Sequence, residues 1–209
     1  MNIDPKNRRS LRGAAAALLL AAGGCSSSPP TRFYALSPVA QPGSAKPSSV
    51  RLSVVAVGPV TIPDYVNRPE LVTVDGPNVV KIHDFERWAG PMDEELSRVL
   101  VEDLAAKLPP GRFDIMHWIP TINARVPLSH RLTVAVTRFE ASTVPGGAAV
   151  LETDWAILGK NDTVLARRKS VKTSPLRGTD GKEIAAALSR CVADFSGDVA
   201  EALVALPEK

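Results

Sequence analysis

Residues 180–206 read DGKEIAAALSRCVADFSGDVAEALVAL, and Ile184, Leu188, Cys191, Val192, Phe195, Val199 and Leu203 recur there at the three- and four-residue spacing of one helix face. In water such a helix draws most of its stability from covering that face. A second one-sided helix starts at Gly90-Pro91, with Pro91 expected at the first helical position and Asp93, Glu94 and Glu95 at the positive end of the dipole. Its stripe is Met92, Leu96, Val99, Leu100, Leu104 and Leu108, and Pro109-Pro110-Gly111 stops it.

Short β-rich runs supply what the helices cover. Residues 51–57 form a strand stopped by Gly58-Pro59, and residues 71–74 and 79–82 form a hairpin across Asp75-Gly76-Pro77-Asn78. Residues 112–118 make a further short strand. Leu132, Val134 and Val136 alternate in the next, and Leu151, Thr153, Trp155 and Ile157 in another beyond Pro145-Gly146-Gly147. With residues 163–173 these strands read as an antiparallel meander. The expectation is an α+β fold, a two-layer sandwich whose mixed, mostly antiparallel sheet carries two long helices on one face.

Residues 1–24 have the order of an export signal: Lys6, Arg8, Arg9 and Arg12, an apolar run from Ala14 to Ala22, then small residues before Cys25. The run is about half the ~20 residues a spanning helix needs. Ala22-Gly23-Gly24-Cys25 resembles the bacterial lipobox, with Ala22 where leucine is usual, so Cys25 is expected to be acylated and to become the N-terminus. In bacterial lipoproteins resembling this one, the next residue sorts between membranes, and Ser26 in place of aspartate points to the outer membrane.

Residues 25–49 are rich in Pro, Ser, Gly and Ala and read as a tether long enough to stand a domain off the bilayer. Phe33-Tyr34-Ala35-Leu36 interrupts it, either as an edge strand on the domain, which is favoured, or as an exposed contact. Residues 50–209 are then a single periplasmic domain, large enough for a substantial core.

The 209 residues carry 25 basic and 22 acidic side chains. Four of the basic residues and one acid lie in the export signal, so the mature chain is formally neutral and carries no footprint for nucleic acid. With Cys25 acylated, Cys191 has no cysteine to pair with, and its place on an apolar stripe makes it a buried small hydrophobe. His83, His117 and His130 are scattered without metal-ligand spacing, and no nucleophile elbow, P-loop or dinucleotide fingerprint occurs. Asp93, Glu94, Glu95, Glu102 and Asp103 diverge around a helix and read as dipole partners and a solvated face. Arg167-Arg168-Lys169 reads as a solvated strand more readily than as a binding patch. The expectation is therefore no catalytic residue, no metal and no cofactor.

Three segments stand out: Phe33-Tyr34-Ala35-Leu36; Val57-Gly58-Pro59-Val60-Thr61-Ile62-Pro63-Asp64-Tyr65-Val66-Asn67-Arg68-Pro69; and Glu86-Arg87-Trp88-Ala89-Gly90-Pro91-Met92. In this order and spacing they resemble the PqiC/YmbA-like family, the ABC-type transport auxiliary lipoproteins associated with MCE-domain lipid-transfer systems. Met92 stands where the family's R-W-A-x-P-L has leucine. The resemblance implies a non-enzymatic docking component of an intermembrane lipid transport system, with an MCE-domain protein as partner and the outer membrane reached through its lipid. Phospholipid and further copies of the chain are additional candidate partners.

Pro63 and Pro69 stiffen their loop, Asp64 and Asn67 can bond its backbone, and Arg68 can lie over Trp88 or pair with a carboxylate. Pro63, Asp64, Tyr65, Asn67, Arg68 and Pro69, with Arg87 and Trp88, form the candidate partner-binding surface; the competing reading is that they brace the loop against the first helix. An alternative function, a lipid or solute carrier with its own apolar pocket, requires surplus volume between sheet and helices. Acylation at Cys25 is checked by mass spectrometry of the mature N-terminus, and Cys25→Ala is expected to release the domain from membranes. An unacylated product beginning elsewhere contradicts it.

Overall fold

The computed structural model describes residues 28–39, 52–123 and 126–207. The chain N-terminal to these, including Cys25, and most of the expected tether lie outside the described residues.

In β7 (Ala148–Leu158) every second side chain is buried, from Ala149 through Leu151, Thr153 and Trp155 to Ile157. This period-two pattern gives a strand one face on a core and one facing out. β7 pairs antiparallel with β6 (His130–Ser142) and with β8 (Val164–Pro175), which is the meander expected. β6 departs from simple alternation. Leu132, Val134 and Val136 are buried, a register shift falls between Val136 and Arg138, and thereafter Phe139 and Ala141 are buried. The bulge re-aims the second half of the strand.

On its other edge β6 accepts two strands in succession. β2 (Ser53–Thr61) runs parallel to its first part, from Val55 opposite His130 to Thr61 opposite Ala135. β3 (Glu70–Val74) runs parallel to its end, with Thr73 opposite Ala141. β5 (Phe113–His117) lies parallel to β2, outside the meander. β3 forms the expected antiparallel hairpin with β4 (Val80–Trp88), and β1 (Arg32–Tyr34) adds a parallel edge strand to β4. The sheet is mixed, as expected, but among the described residues four of its seven pairings are parallel where a mostly antiparallel sheet was expected, although the longest ladders are antiparallel.

Gly58-Pro59 does not stop β2. The strand continues to Thr61 across a register shift, and Gly58 takes φ +133° where a Cβ would come within 2.9 Å of the Trp118 Cβ. Glycine alone suits that combination of backbone and neighbour.

Two long helices complete the second layer, α1 (Met92–Lys107) over β2 and β5 and α2 (Gly181–Val204) over β6, β7 and β8, and they touch each other. Pro91 is the N-cap of α1 and not its first helical residue. α2 is capped by Asp180, whose carboxylate accepts the Glu183 amide at 2.9 Å. Its stripe is buried as expected, with Cys191 fully enclosed and burial pushing that thiol up to about 11. Trp155 meets Phe195 edge-on at 6.0 Å between centroids.

A polar chain fastens α2 to the sheet beside this aromatic pair. Trp155 Nε1 donates to Ser170 Oγ at 3.0 Å, Ser170 donates to Asp198 at 2.7 Å, and Lys172 Nζ donates to the other Asp198 oxygen at 2.7 Å. Burial opposes ionisation of Asp198, yet the hydrogen bonds from Lys172 and Ser170 outweigh it and hold the carboxyl below the usual aspartate range. A depressed carboxyl pKa contributes stability above its unfolded value, near 3.9, that is lost as pH falls through the folded value. Asp198→Asn is expected to cost about 1–2 kcal/mol at pH 7, roughly 3–6 °C in Tm. The gap from wild type should narrow below about pH 4. Thermal melts against pH check this, and a gap independent of pH contradicts it.

Candidate functional site

β2 ends at Thr61, and the chain must turn before β3 begins at Glu70. Pro63 organises that turn by accepting the amides of Val66 and Asn67, each at 3.1 Å, with its carbonyl. Val66 is buried, whereas Asp64, Asn67 and Pro69 are exposed and Tyr65 is 37% exposed. One apolar residue therefore pins the loop while its neighbours are presented to solvent.

Two carboxylates tie the loop to the sheet. Tyr65 donates to Glu140 on β6 at 2.9 Å, and Arg138 Nε donates to the other Glu140 oxygen at 2.6 Å while reaching Glu152 at 3.1 Å. Burial, then the bond to Glu140, pushes the Tyr65 hydroxyl up to about 12. Glu70 collects two cations, with Arg68 Nε at 3.0 Å and Arg87 Nη2 at 3.3 Å. The hydrogen bond from Arg68 is the main reason the Glu70 carboxyl is held below its ordinary value.

The structure thus brings Arg68 and Arg87 together on Glu70, and Arg68 takes the carboxylate alternative. Trp88 departs from expectation. It ends β4, its amide donates to the Pro69 carbonyl at 2.7 Å, and its ring is only 7% exposed within the core. Residues 80–88 form a strand running up to the helix, so Trp88 falls on an inward position and is not available to a partner. Glu70 and Glu140 complete the arrangement, and neither was singled out by sequence because no motif marks an acid whose partners are distant in the chain.

Within the expected tether, the Phe33-Tyr34-Ala35-Leu36 segment, favoured as an edge strand on the domain, is bound tightly. Arg32 pairs with Glu86, the Tyr34 carbonyl accepts the Ala89 amide at 2.7 Å, and Leu36 is 1% exposed in the core. Arg98 donates to the Leu36 carbonyl at 2.7 Å, the Ser37 amide to Ser189 Oγ at 3.1 Å, and the Val39 amide to Asp103 at 3.1 Å. Gly181 lets this strap lie against the start of α2, since a Cβ there would sit 2.5 Å from the Tyr34 ring. Asp103 is fully buried, contrary to its reading as part of a solvated face. It lies three and four residues beyond Leu100 and Val99, a spacing that already placed it on the apolar stripe.

Two open grooves, of about 450 and 330 Å³, flank α2 where the strap crosses it, both lined by Val39 and Arg190. Among the described residues no helix is long and apolar enough to cross a membrane, and no three His, Cys, Asp or Glu side chains are grouped to hold a metal.

Two solved structures are similar in fold. One is a Xanthomonas campestris protein of the DUF330 family, 19% identical, with a TM-score of 0.64 over 81% of this chain and 93% of that one. The other is an uncharacterized protein, 21% identical, with a TM-score of 0.65 over 84% and 99%. No curated protein matches the sequence. The model of the ABC-type transport auxiliary lipoprotein component matches residues 34–200, from the strap through most of α2. The chain belongs to that family, the PqiC/YmbA-like auxiliary lipoproteins of ABC-type transport.

Proposed function

We propose that this lipoprotein is an outer-membrane-anchored, periplasm-facing docking component of an MCE-type lipid transport system. The lipid on Cys25 holds it, and the 63–69 loop receives the MCE-domain partner. The family match over residues 34–200 carries this reading. The loop supports it physically: its backbone is limited by Pro63 and Pro69 and fixed through Val66 and Glu140, so little ordering entropy is lost when a partner binds. Asp64, Asn67 and part of Tyr65 remain for contact, beside the Arg68–Glu70–Arg87 cluster. Bracing and presentation coexist here: Val66 braces, Asp64 and Asn67 present, and Tyr65 does both.

Photo-crosslinkers at Asp64 and Asn67, in the acylated protein within native membranes, are expected to capture an MCE-domain protein, whereas one at Lys182 on α2 is not. Asp64→Arg with Asn67→Arg should reduce capture at least tenfold and leave Tm unchanged, since both residues are exposed. Tyr65→Ala additionally loses the Glu140 bond, worth about 1 kcal/mol, and should lower Tm by roughly 2–4 °C. If no MCE-domain protein is captured, or capture merely follows Tm, the reading is wrong.

A further inference from the structure

β1 enters the sheet parallel to β4, with Arg32 opposite Glu86 and Tyr34 opposite Trp88. Parallel pairing fixes a direction. The chain reaches Arg32 from the side on which β4 begins, where the β3–β4 hairpin turns at residues 75–79.

That hairpin carries an apolar surface that the fold leaves uncovered. Val79 is 51% exposed, Val80 49%, Ile82 43% and Phe85 40%, and Phe33 on the adjoining β1 is 65% exposed. Around them the exposed cations Arg32 and Lys81 are matched by the exposed acids Asp75 and Asp84. The surface is apolar and electrically balanced.

The leash to the lipid is short. Seven residues from Cys25 to Arg32 reach at most about 25 Å even when fully extended, and β4 from Val80 to Glu86 spans about 20 Å. An acylated Cys25 therefore keeps Arg32, and the sheet edge it joins, within about that reach of the bilayer surface, in place of the long stand-off that a free 25–49 tether would allow.

We propose that the turn end of the β3–β4 hairpin is a membrane seat: Val79, Val80 and Ile82 enter the headgroup region of the bilayer that holds the lipid. This rests on the lipid anchor of the preceding reading and is independent of partner docking. The 63–69 loop lies at the opposite end of β3 and β4 from the turn, so a seated hairpin leaves it directed toward the periplasm.

The test uses the full acylated protein reconstituted in phosphatidylethanolamine–phosphatidylglycerol vesicles, with an environment-sensitive fluorophore on Val80→Cys. Acylation consumes the Cys25 thiol and Cys191 is buried, so the introduced cysteine takes the label. Val171→Cys on β8, where the native residue is 60% exposed, is the control. At position 80 the expected result is a blue shift and quenching by nitroxides on the upper acyl chain, several-fold stronger than at position 171. Both should persist without phosphatidylglycerol, because the contact is apolar. Val79→Ser with Ile82→Ser should reduce the quenching at least twofold while the protein still floats with the vesicles. Equal quenching at the two positions in floating protein overturns the proposal. A blue shift without nitroxide quenching also overturns it, since a second copy or another protein then covers the hairpin. Acylated protein that fails to float overturns the anchor reading, and the seat with it.

Discussion

β6 must be paired along both edges at once, and one of those edges is divided between β2 and β3. A straight strand would bury alternate side chains from Leu132 onward and place residues 138 and 140 inward. The shift between Val136 and Arg138 turns Phe139 and Ala141 into the core instead. Arg138 and Glu140 are thereby placed where they bond each other and where Glu140 receives the Tyr65 hydroxyl. The position of the candidate docking loop thus follows from one extra residue in a strand that is distant from it in sequence.

Strong local periodicity made much of this fold legible. The stripes of α1 and α2 and the alternation in β7 each involve many residues obeying one spacing, and the meander follows from tight turns. Parallel pairings were harder to read because the partners of β2, β3 and β5 are remote in the chain, and alternation does not say which way a neighbour runs. The bulge in β6 left no residue signature. Trp88 was misplaced because its run of polar and charged neighbours hides a strand. Asp103 was misplaced for the opposite reason, as its chemistry was weighed above its position on the stripe. Its burial is served by the Val39 amide, which finds an acceptor there.

The strap from Arg32 to Val39 fastens the N-terminal part of the described chain to the fold. Three of its contacts are to side chains on the two helices, Arg98 and Asp103 from α1 and Ser189 from α2, so it closes the seam between them while lengthening the sheet by one strand. Composition makes the surrounding residues look like a linker, yet Leu36 is among the most deeply enclosed side chains. A Pro- and Ser-rich background is a weak guide when a few apolar residues within it can reach a core.

The strap also determines how the domain responds to mechanical load. A pull along the axis of β1 is shared by its ladder with β4, the Arg32–Glu86 pair and the buried Leu36. Bonds sheared in parallel resist a sustained pull better than bonds peeled one after another. A clamp of this kind loads all its fastenings simultaneously, where a hairpin in the same place would unzip.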